Sequence, residues 1–220
     1  MLYIIATPIG NLKDISLRAI ETLEKIEILL CEDTRKTGLL LVNLGIKNKP
    51  RLISFYDEVE EQKIPEIIKL LEQDQKVGLV TDAGTPTISD PGYKLVKKCQ
   101  KMGCKVTSIP GPSAVINALA LSGISSGRFC FLGFLPKKTG ERKKILKKYL
   151  EFEGSKVVYE SPFRLIKLIA DIIEIYGEET DMSICREMTK KFEEVISGSA
   201  EMVFEKIKNK NIKGELVVIF

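Results

Sequence analysis

The sequence of 220 residues is 44% hydrophobic, which is enough to bury the core of one large domain or two small ones. It contains no histidine, which excludes nucleophiles activated by histidine and metal sites built with histidine. Its five cysteines form no CxxC pair, which indicates neither a disulfide framework nor a zinc site and favours a reducing compartment. Because no apolar run reaches about 18 residues and the N-terminus shows no secretory leader, we expect a cytoplasmic protein with no membrane partner, and the absent histidine and scattered cysteines give no sign of a metal.

The net charge of +4 is unevenly distributed along the chain. Residues 136–150 hold seven cations against the single acid Glu141, a local charge of +6, so the other residues together carry −2. The cations are Lys137, Lys138, Arg142, Lys143, Lys144, Lys147 and Lys148. This run predicts either a solvated helix face or a stripe that contacts phosphate groups, and both interpretations stay open.

The first half of the chain alternates short apolar runs with stretches of helical periodicity, which is typical of βα units around a mostly parallel sheet. Strands are predicted at residues 2–6, 28–32, 52–55, 76–81 and 105–109. Helices between them are indicated by apolar spacing at Ile20, Leu23 and Ile26 and at Ile64, Ile67, Ile68 and Leu71.

The second half resumes this pattern after Pro110-Gly111-Pro112, so we predict two α/β domains, residues 1–111 and residues 112–220. Helices are predicted at residues 113–121, 142–149, 164–176 and 201–208. Strands are predicted at residues 129–131, 156–160, 182–186, 193–197 and 215–220. Because short connections join the last strands to their neighbours, some antiparallel pairing, and hence a mixed sheet, is expected in the second domain.

Three of the predicted strands end in turns of small residues. The turns read TPIGN from Thr7, DAGTP from Asp82 and PGPSA from Pro110, whereas GxGxxG after the first strand and the P-loop pattern GxxxxGK(S/T) are absent. A single turn of this kind can simply reverse the chain. Three turns at one edge of an open α/β sheet predict a ligand cleft instead, because glycine permits close approach to the backbone there.

Long motifs that include these turns occur in order along the chain. They read LYIIATPIGNLKDISLRAIETL, CEDTRKTGLLL, GLVTDAGTPTISDPGYKLV, SIPGPSAVINALALSG, FLGFLPKK, VVYESPFRL, ICREMTKKFEEVISG and KGELVVIF. With them the chain resembles, from end to end, the ribosomal small subunit RNA methyltransferase I family of the tetrapyrrole methylase superfamily.

The resemblance implies a class III methyltransferase with two α/β domains, a mostly parallel N-terminal sheet and a mixed C-terminal sheet. It implies that S-adenosylmethionine binds in the cleft between the domains and that the protein is a homodimer. The implied reaction is methylation of a cytidine ribose 2'-OH in the decoding region of 16S rRNA in the small ribosomal subunit. Many relatives continue past the last strand, whereas this sequence stops at Phe220, so an RNA contact made there is expected either to be missing or to belong to a longer form of the chain.

Carried over to this sequence, the family's motifs imply a set of residues that bind the cofactor. They are Pro8, Ile9, Asp82, Gly84, Thr85, Ile88, Ser113, Ala114, Tyr159, Cys185 and Gly214. The hydroxyl of Thr85 or Ser113 suits the methionine carboxylate of the cofactor. Asp82 either bonds the cofactor or closes its own loop as an Asx turn.

Charged residues that follow strands are the candidates for substrate binding and catalysis. They lie in the motifs CEDTR, YESPFR and CREMTKKFEE, each of which mixes acids with arginine. We hypothesise that Arg35, Arg164, Arg186 and Lys190 hold RNA phosphates, helped by Lys137, Lys138 and Arg142. Glu160 or Glu187 is the candidate proton acceptor. Alternatively, these residues are only solvated or paired with one another.

Aromatic residues for base stacking are few, because the chain is only 7% aromatic and has no tryptophan. Phe55, Tyr56 and Phe163 are candidates, although we expect each to be partly buried. Two other functions compete with RNA methylation: C-methylation of a tetrapyrrole by an enzyme of the same fold, and RNA binding without catalysis. The motifs YESPFR and CREMTKKFEE resemble the RNA enzymes.

Overall fold

The computed structural model describes all residues from Met1 to Phe220. The chain folds into two compact units, Met1–Ser113 and Ala114–Phe220. The division therefore lies after residue 113, whereas the sequence places it after residue 111. None of the helices combines the length and the apolar character that crossing a bilayer requires.

Unit 1 (Met1–Ser113) is a five-stranded parallel sheet with four helices. Its elements in chain order are β1 (Leu2–Ile5), a 3-10 turn (Leu12–Asp14), α1 (Leu17–Leu23), β2 (Ile28–Cys31), α2 (Thr34–Asn43), β3 (Arg51–Ser54), α3 (Asp57–Glu72), β4 (Val77–Leu79), α4 (Tyr93–Lys101) and β5 (Val106–Ile109). The strand order is β3-β2-β4-β1-β5.

Both faces of the unit 1 sheet are buried. Leu29 packs in a core with α1 and α2, whereas its neighbour Leu30 packs in a second core with α3 and α4. Successive residues of a strand point to opposite faces, so a strand covered on both sides needs apolar residues at every position. This requirement explains the unbroken apolar run of β2 (Ile28–Cys31), which is buried throughout.

The chain path reverses between β1 and β4, which are neighbours in the sheet. From β1 the chain passes beyond β4 to β2, and from β4 it passes beyond β1 to β5. In open α/β sheets such a switch point leaves a crevice beyond the carboxyl ends of the two strands, where ligands bind. The turns after β1 and β4 lie at this place.

Unit 2 (Ala114–Phe220) has a five-stranded mixed sheet and four helices. Its elements are α5 (Ala114–Ser122), β6 (Phe129–Phe134), α6 (Thr139–Lys148), β7 (Ser155–Glu160), α7 (Leu165–Tyr176), β8 (Asp181–Arg186), β9 (Glu194–Ser199), α8 (Ala200–Ile207) and β10 (Leu216–Ile219). The strand order is β6-β7-β10-β8-β9, in which β6 and β7 are parallel and the other pairs are antiparallel.

The helices of unit 2 divide between the two faces of its sheet. Val158 packs in a core with α6, α7 and α8, whereas Val157 packs against α5 on the other face. The strand β10 is the middle strand and contributes Val217 to one core and Val218 to the other. Unit 2 therefore depends on β10 for both of its apolar layers.

The predicted fold class is confirmed, with a parallel first sheet, a mixed second sheet and all ten predicted strands. One difference is β6, which extends to Phe134 instead of ending near residue 131. Its register shifts between Phe131 and Phe134, and Gly133 has a φ of +61°. A bulge of this kind interrupts the alternation that identifies a strand in sequence. A second difference is α6, which begins at Thr139, ahead of the predicted residue 142.

Candidate active site

The three small-residue turns of unit 1 lie side by side, because β4, β1 and β5 are adjacent and parallel. The Thr7 N–H donates to the Gly84 carbonyl at 2.9 Å, and the Gly84 N–H donates to the Thr7 carbonyl at 3.1 Å. The Thr85 hydroxyl donates to the Pro112 carbonyl at 3.0 Å. We call this group of turns, residues 7–11, 81–86 and 110–113, the turn edge.

Glycine is required where two of these turns approach each other. A Cβ added to Gly111 lies only 3.0 Å from the Cβ of Ala6, at the end of β1. Gly84 has a φ of +90°, a conformation that residues with a side chain adopt only with strain. The two glycines thus let the turns pack closely together, with Gly84 buried and Gly111 exposed.

The loop that follows Gly84 has a strained backbone. Thr87 and Ser89 have φ values of 74° and 63° although neither is glycine. Strain of this kind persists only where the surroundings hold the chain, and it concentrates at functional sites. Here buried Glu60 holds the far end of the loop, since its Oε1 accepts from the backbone N–H groups of Gly92 and Leu95.

Carboxylates surround Thr81 at the end of β4. The Thr81 hydroxyl donates to Glu32 Oε1 at 2.5 Å. Burial, together with the charge of Glu32, raises the pKa of Asp90 to about 7. The exposed Asp82 accepts a hydrogen bond from Lys36 Nζ at 2.6 Å. The structure therefore shows an ion pair at Asp82, whereas the sequence predicted either a cofactor contact or an Asx turn.

The CEDTR motif begins α2. The Asp33 carboxylate accepts from the Arg35 backbone N–H at 2.8 Å and also pairs with the Arg35 guanidinium at 2.9 Å. These hydrogen bonds hold the pKa of Asp33 well below its usual range. Arg35 is exposed. Its pairing with Asp33 matches the alternative interpretation, in which the charged residues of the motif are only paired with one another.

The remaining predicted cofactor residues of unit 1 differ in exposure. Ile9 is buried, Pro8 and Ser113 are half-buried, and Ile88 is exposed. Ala114, also half-buried, is the first residue of α5 and belongs to unit 2.

The charged motifs of unit 2 meet at one edge of its sheet. Leu216 at the start of β10 is the register partner of Glu160 at the end of β7 and of Arg186 at the end of β8. Because β6 runs parallel to β7, the segment after Phe134 reaches the same edge. We call this region, residues 134–138, 160–164, 186–192 and 213–215, the charged edge.

Hydrogen bonds of Glu160 and Arg164 connect two loops of the charged edge. Glu160 Oε1 accepts from Arg164 Nε at 2.6 Å and from the Ser161 N–H at 2.7 Å, while its buried Oε2 has no partner. Arg164 Nη2 donates to the Leu135 carbonyl at 3.0 Å. These hydrogen bonds join the FLPKK loop to the YESPFR turn.

A second cluster joins Glu187, Lys190 and Glu215. Glu187 has a φ of 49°, and its Oε1 accepts from Lys190 Nζ and from the Glu215 N–H, both at 2.9 Å. The Glu215 backbone N–H and Lys190 lower the pKa of Glu187. Burial lowers the pKa of Lys190, but hydrogen bonds to Glu215 and Glu187 outweigh burial and raise it. Both groups are therefore charged at neutral pH.

Gly214 makes room for this cluster. A Cβ added to Gly214 lies 2.5 Å from the carboxyl group of Glu187, and Gly214 has a φ of +97°. The sequence implied a role for Gly214 through the family motif, but its steric role toward Glu187 is visible only in the structure.

Arg186, Tyr159 and Cys185 complete the predicted residues of unit 2. Arg186 donates to Glu194 at 3.0 Å and to the Lys213 carbonyl at 3.1 Å. Tyr159 is half-buried, with its ring centroid 5.4 Å from that of Phe134. The Cys185 thiol is buried against α5 and donates to the Ala118 carbonyl at 3.6 Å, and the whole residue is 0% exposed.

In the lysine-rich run, residues 136–150, the prediction that Arg142 helps to hold RNA phosphates needs correction. This residue is 1% exposed, and its guanidinium pairs with buried Asp171 at 2.5 Å, so the expectation that it contacts RNA is wrong for this structure. Lys143 pairs with Asp171 and Glu174. Lys137 and Lys138 are exposed and belong to the charged edge.

Exposed phenylalanines are the feature that the sequence analysis missed. Phe163 was expected to be partly buried but is 95% exposed, whereas Phe55 is fully buried. Phe134 and Phe192, which were not among the predicted stacking residues, are also exposed. Phe134 and Phe163 lie three residues after the predicted strands 129–131 and 156–160, and Phe192 directly precedes the predicted strand 193–197, so their place near strand ends was the available signal. No group of three or more acidic or cysteine side chains is arranged to hold a metal ion.

A family model described as "Tetrapyrrole (Corrin/Porphyrin) Methylases" matches residues 1–203. Curated proteins named "Ribosomal RNA small subunit methyltransferase I" match along the chain. The one from Haemophilus influenzae is 42% identical over 221 residues, which cover 100% of this chain and 77% of the relative. The one from Thermotoga maritima is 43% identical over 219 residues, which cover 99% of this chain and 96% of the relative.

Two solved structures share the fold. Uroporphyrin-III-C-methyltransferase from Thermus thermophilus has a TM-score of 0.65 at 18% identity. Cobalt precorrin-4 methyltransferase has a TM-score of 0.69 at 16% identity. Each comparison covers 99% of this chain and 93% of the solved chain. The family model, the fold and the relatives agree, and so this chain belongs to the tetrapyrrole methylases and, within these methyltransferases, to the group named ribosomal RNA small subunit methyltransferase I.

Proposed function

We propose that the protein transfers a methyl group from S-adenosylmethionine to the ribose 2'-OH of a cytidine in the decoding region of 16S rRNA. The observation that carries this proposal is the end-to-end similarity, at 42% and 43% identity, to proteins named ribosomal RNA small subunit methyltransferase I. The two structural neighbours named for tetrapyrrole substrates are only 16% and 18% identical, and they support the fold alone.

The turn edge of unit 1 fits the methyl donor. The exposed backbone at Gly111 allows a ligand to approach, and apolar Ile9 and Ile88 suit an adenine ring. The Thr85 hydroxyl already gives its single proton to the Pro112 carbonyl. We therefore assign the methionine carboxylate to Ser113, whose hydroxyl can donate to it.

Among the residues of unit 2, Tyr159, Cys185 and Gly214 stay predicted donor contacts on the family motif. S-adenosylmethionine would supply a methyl group on a sulfonium centre: the ribose oxygen would attack the methyl carbon as the carbon–sulfur bond breaks, S-adenosylhomocysteine would leave, and the hydroxyl proton would pass to water. Holding oxygen, carbon and sulfur in line contributes most of the rate in such a reaction. The protein's part is thus to orient the RNA.

The charged edge is suited to orienting RNA more than to accepting a proton. Glu187 has a lowered pKa and two donors on one oxygen, so it is a weak base at neutral pH. Glu160 is buried and bound to Arg164. We propose that Glu160 positions Arg164 and that Glu187 positions Lys190, with Arg186 and Arg35 as further phosphate contacts.

A pH profile separates this role from general base catalysis. With Glu160→Gln and Glu187→Gln, loss of a positioning contact lowers turnover by a similar factor at every pH. Loss of a base removes the rise of turnover with pH on the acid side of the profile. Unchanged turnover in both variants contradicts both roles.

The partners are proposed on the same grounds. The small ribosomal subunit is the proposed substrate, and a homodimer in the cytoplasm is proposed from the resemblance. All five cysteines are free, which supports a reducing compartment. Sedimentation of the purified protein checks the dimer.

The experiment that tests the function measures label transfer from methyl-labelled S-adenosylmethionine to small ribosomal subunits that lack this modification. Nuclease digestion then identifies the labelled nucleoside. Label in 2'-O-methylcytidine is expected. Donor binding without label in RNA contradicts the proposal and leads to an assay with a porphyrinogen. Binding of both donor and RNA without transfer indicates a noncatalytic RNA-binding protein.

A further inference from the structure

Phe163 is an apolar side chain held out into solvent by a rigid turn. Its side chain is 95% exposed, the highest value among the exposed large hydrophobic residues. The Arg164 and Leu165 N–H groups both donate to the Ser161 carbonyl, at 2.9 and 3.1 Å, and Pro162 fixes the backbone before Phe163. The Glu160 carboxylate also binds both ends of the turn. The exposure is therefore a property of a braced structure.

Two further phenylalanines lie along the same edge of the sheet. Phe134 ends β6 and Phe192 follows β8, and each is 64% exposed. β6, β7 and β8 all end at the charged edge: β6, which ends in Phe134, is next to β7, which precedes Phe163, and β10 separates β7 from β8, which precedes Phe192. Three exposed rings at one edge of a sheet differ from single apolar residues scattered over a surface.

The surroundings of these rings are cationic. Lys137 and Lys138 follow Phe134 and are exposed, and Lys191 Nζ lies 5.6 Å from the centroid of the Phe192 ring. Proteins that bind single-stranded nucleic acid combine these two features, cations that contact the backbone phosphates and aromatic rings that stack on the bases. A purely apolar partner does not match the lysines.

We propose that Phe163, flanked by Phe134 and Phe192, is a stacking platform for unpaired bases of the RNA substrate. A ring stacks on any base, so the platform selects single-stranded over paired RNA without reading the sequence. This inference rests on the proposed RNA substrate, which it restricts to an unpaired segment.

The absence of tryptophan from the chain permits a direct test. Phe163→Trp introduces a single fluorescent reporter, and a stacked base quenches its emission. The matched control is Phe129→Trp, because Phe129 is 38% exposed at the start of β6, the opposite edge of the sheet. The probe is a single-stranded oligoribonucleotide, compared with the same strand annealed to its complement.

We expect the single strand to quench Phe163→Trp and the duplex to leave it unchanged, while Phe129→Trp responds to neither. Phe163→Ala should weaken binding of the single strand by roughly tenfold, whereas Phe163→Tyr, which keeps the ring, retains it. Circular dichroism checks that each variant is folded.

Two results overturn the platform while the proposed function stands. One is RNA binding by Phe163→Trp with no change of emission and no loss of affinity in Phe163→Ala. The other is a shift of oligomeric state in Phe163→Ala at unchanged RNA affinity, which assigns the rings to a protein interface. If unsubstituted protein binds and methylates no RNA, the proposed function itself fails, and the platform with it.

Discussion

At the scale of single residues, the charged edge depends on the fact that glycine at position 214 has no Cβ atom. We expect Gly214→Ala to lower the rate of methyl transfer by about tenfold or more, because the new Cβ, 2.5 Å from the Glu187 carboxyl, displaces Glu187 and with it Lys190. Steady-state kinetics with small subunits measure the effect.

Gly177→Ala provides the matched control for backbone strain. Gly177 has a φ of +98°, close to the +97° of Gly214, but an added Cβ meets nothing within 4 Å. Both variants should lose on the order of 1 kcal/mol of stability because each forces a side chain into a left-handed conformation, and Gly214→Ala should lose more because its Cβ also displaces Glu187. Equal loss of activity in the two contradicts a specific role for the space at Gly214.

The carboxyl group of Asp90 is expected to make stability depend on pH. Burial and the charge of Glu32 raise its pKa from 3.8 to about 7, and the charges of Asp57 and Asp82 act in the same direction. Between these two pH values the folded state holds a proton that the unfolded chain has lost. The contribution of Asp90 to the free energy of unfolding therefore falls as pH rises from about 4 to about 7.

Asp90→Asn removes this dependence. Urea unfolding should show a larger gain in stability for the variant at pH 8 than at pH 5. Asp14→Asn, at an exposed carboxylate in the 3-10 turn, is the control and should show no such difference. A gain for Asp90→Asn that is the same at both pH values rejects the proposed titration.

At the scale of elements, the two ends of α6 are expected to differ. Lys137 and Lys138 precede its first turn at the charged edge, whereas Lys147 and Lys148 occupy its last turn, where they also complement the helix dipole. Replacing Lys137 and Lys138 by glutamine should weaken RNA binding and reduce the slope of log affinity against log salt by about 1.4, for two lost phosphate contacts on a single strand.

The control replaces Lys147 and Lys148 by glutamine, which makes the same change of charge at the other end of the helix. Affinities measured over a series of salt concentrations compare the two variants. If both lose affinity equally, the run acts only through its net charge, and the location of Lys137 and Lys138 at the charged edge has no importance.

The sequence predicted the strands well because most are short, buried and apolar at successive positions, as in β2 (Ile28–Cys31). The three turns were predicted for a related reason, since parallel neighbours must end at one edge. The sequence could not predict the burial of Arg142, whose partner Asp171 lies on a different helix. It also gave no sign of the strained φ at Thr87 and Glu187, which tertiary contacts impose.

At the scale of the whole molecule, three of the five thiols are sealed inside the two units. Cys31, Cys99 and Cys185 are fully buried, and burial raises the pKa of each, to about 11 for Cys99. At pH 8, Ellman's reagent should modify no more than Cys104 and Cys130 in the native protein, and all five in denaturant. Rapid reaction of a third thiol contradicts this packing.

The central position of β10 in unit 2 also sets the order in which that unit can assemble. Before β10 inserts, the β6-β7 pair and the β8-β9 pair each expose an unpaired strand edge, at β7 and β8. Such edges recruit other chains into intermolecular sheets, and pairings far apart in sequence form slowly. The last strand of unit 1, β5, only adds to an edge of its sheet, whereas the last strand of unit 2, β10, joins the two halves of its sheet. Aggregation during refolding should therefore begin in unit 2, and conditions that hasten the insertion of β10 should raise the yield of native protein.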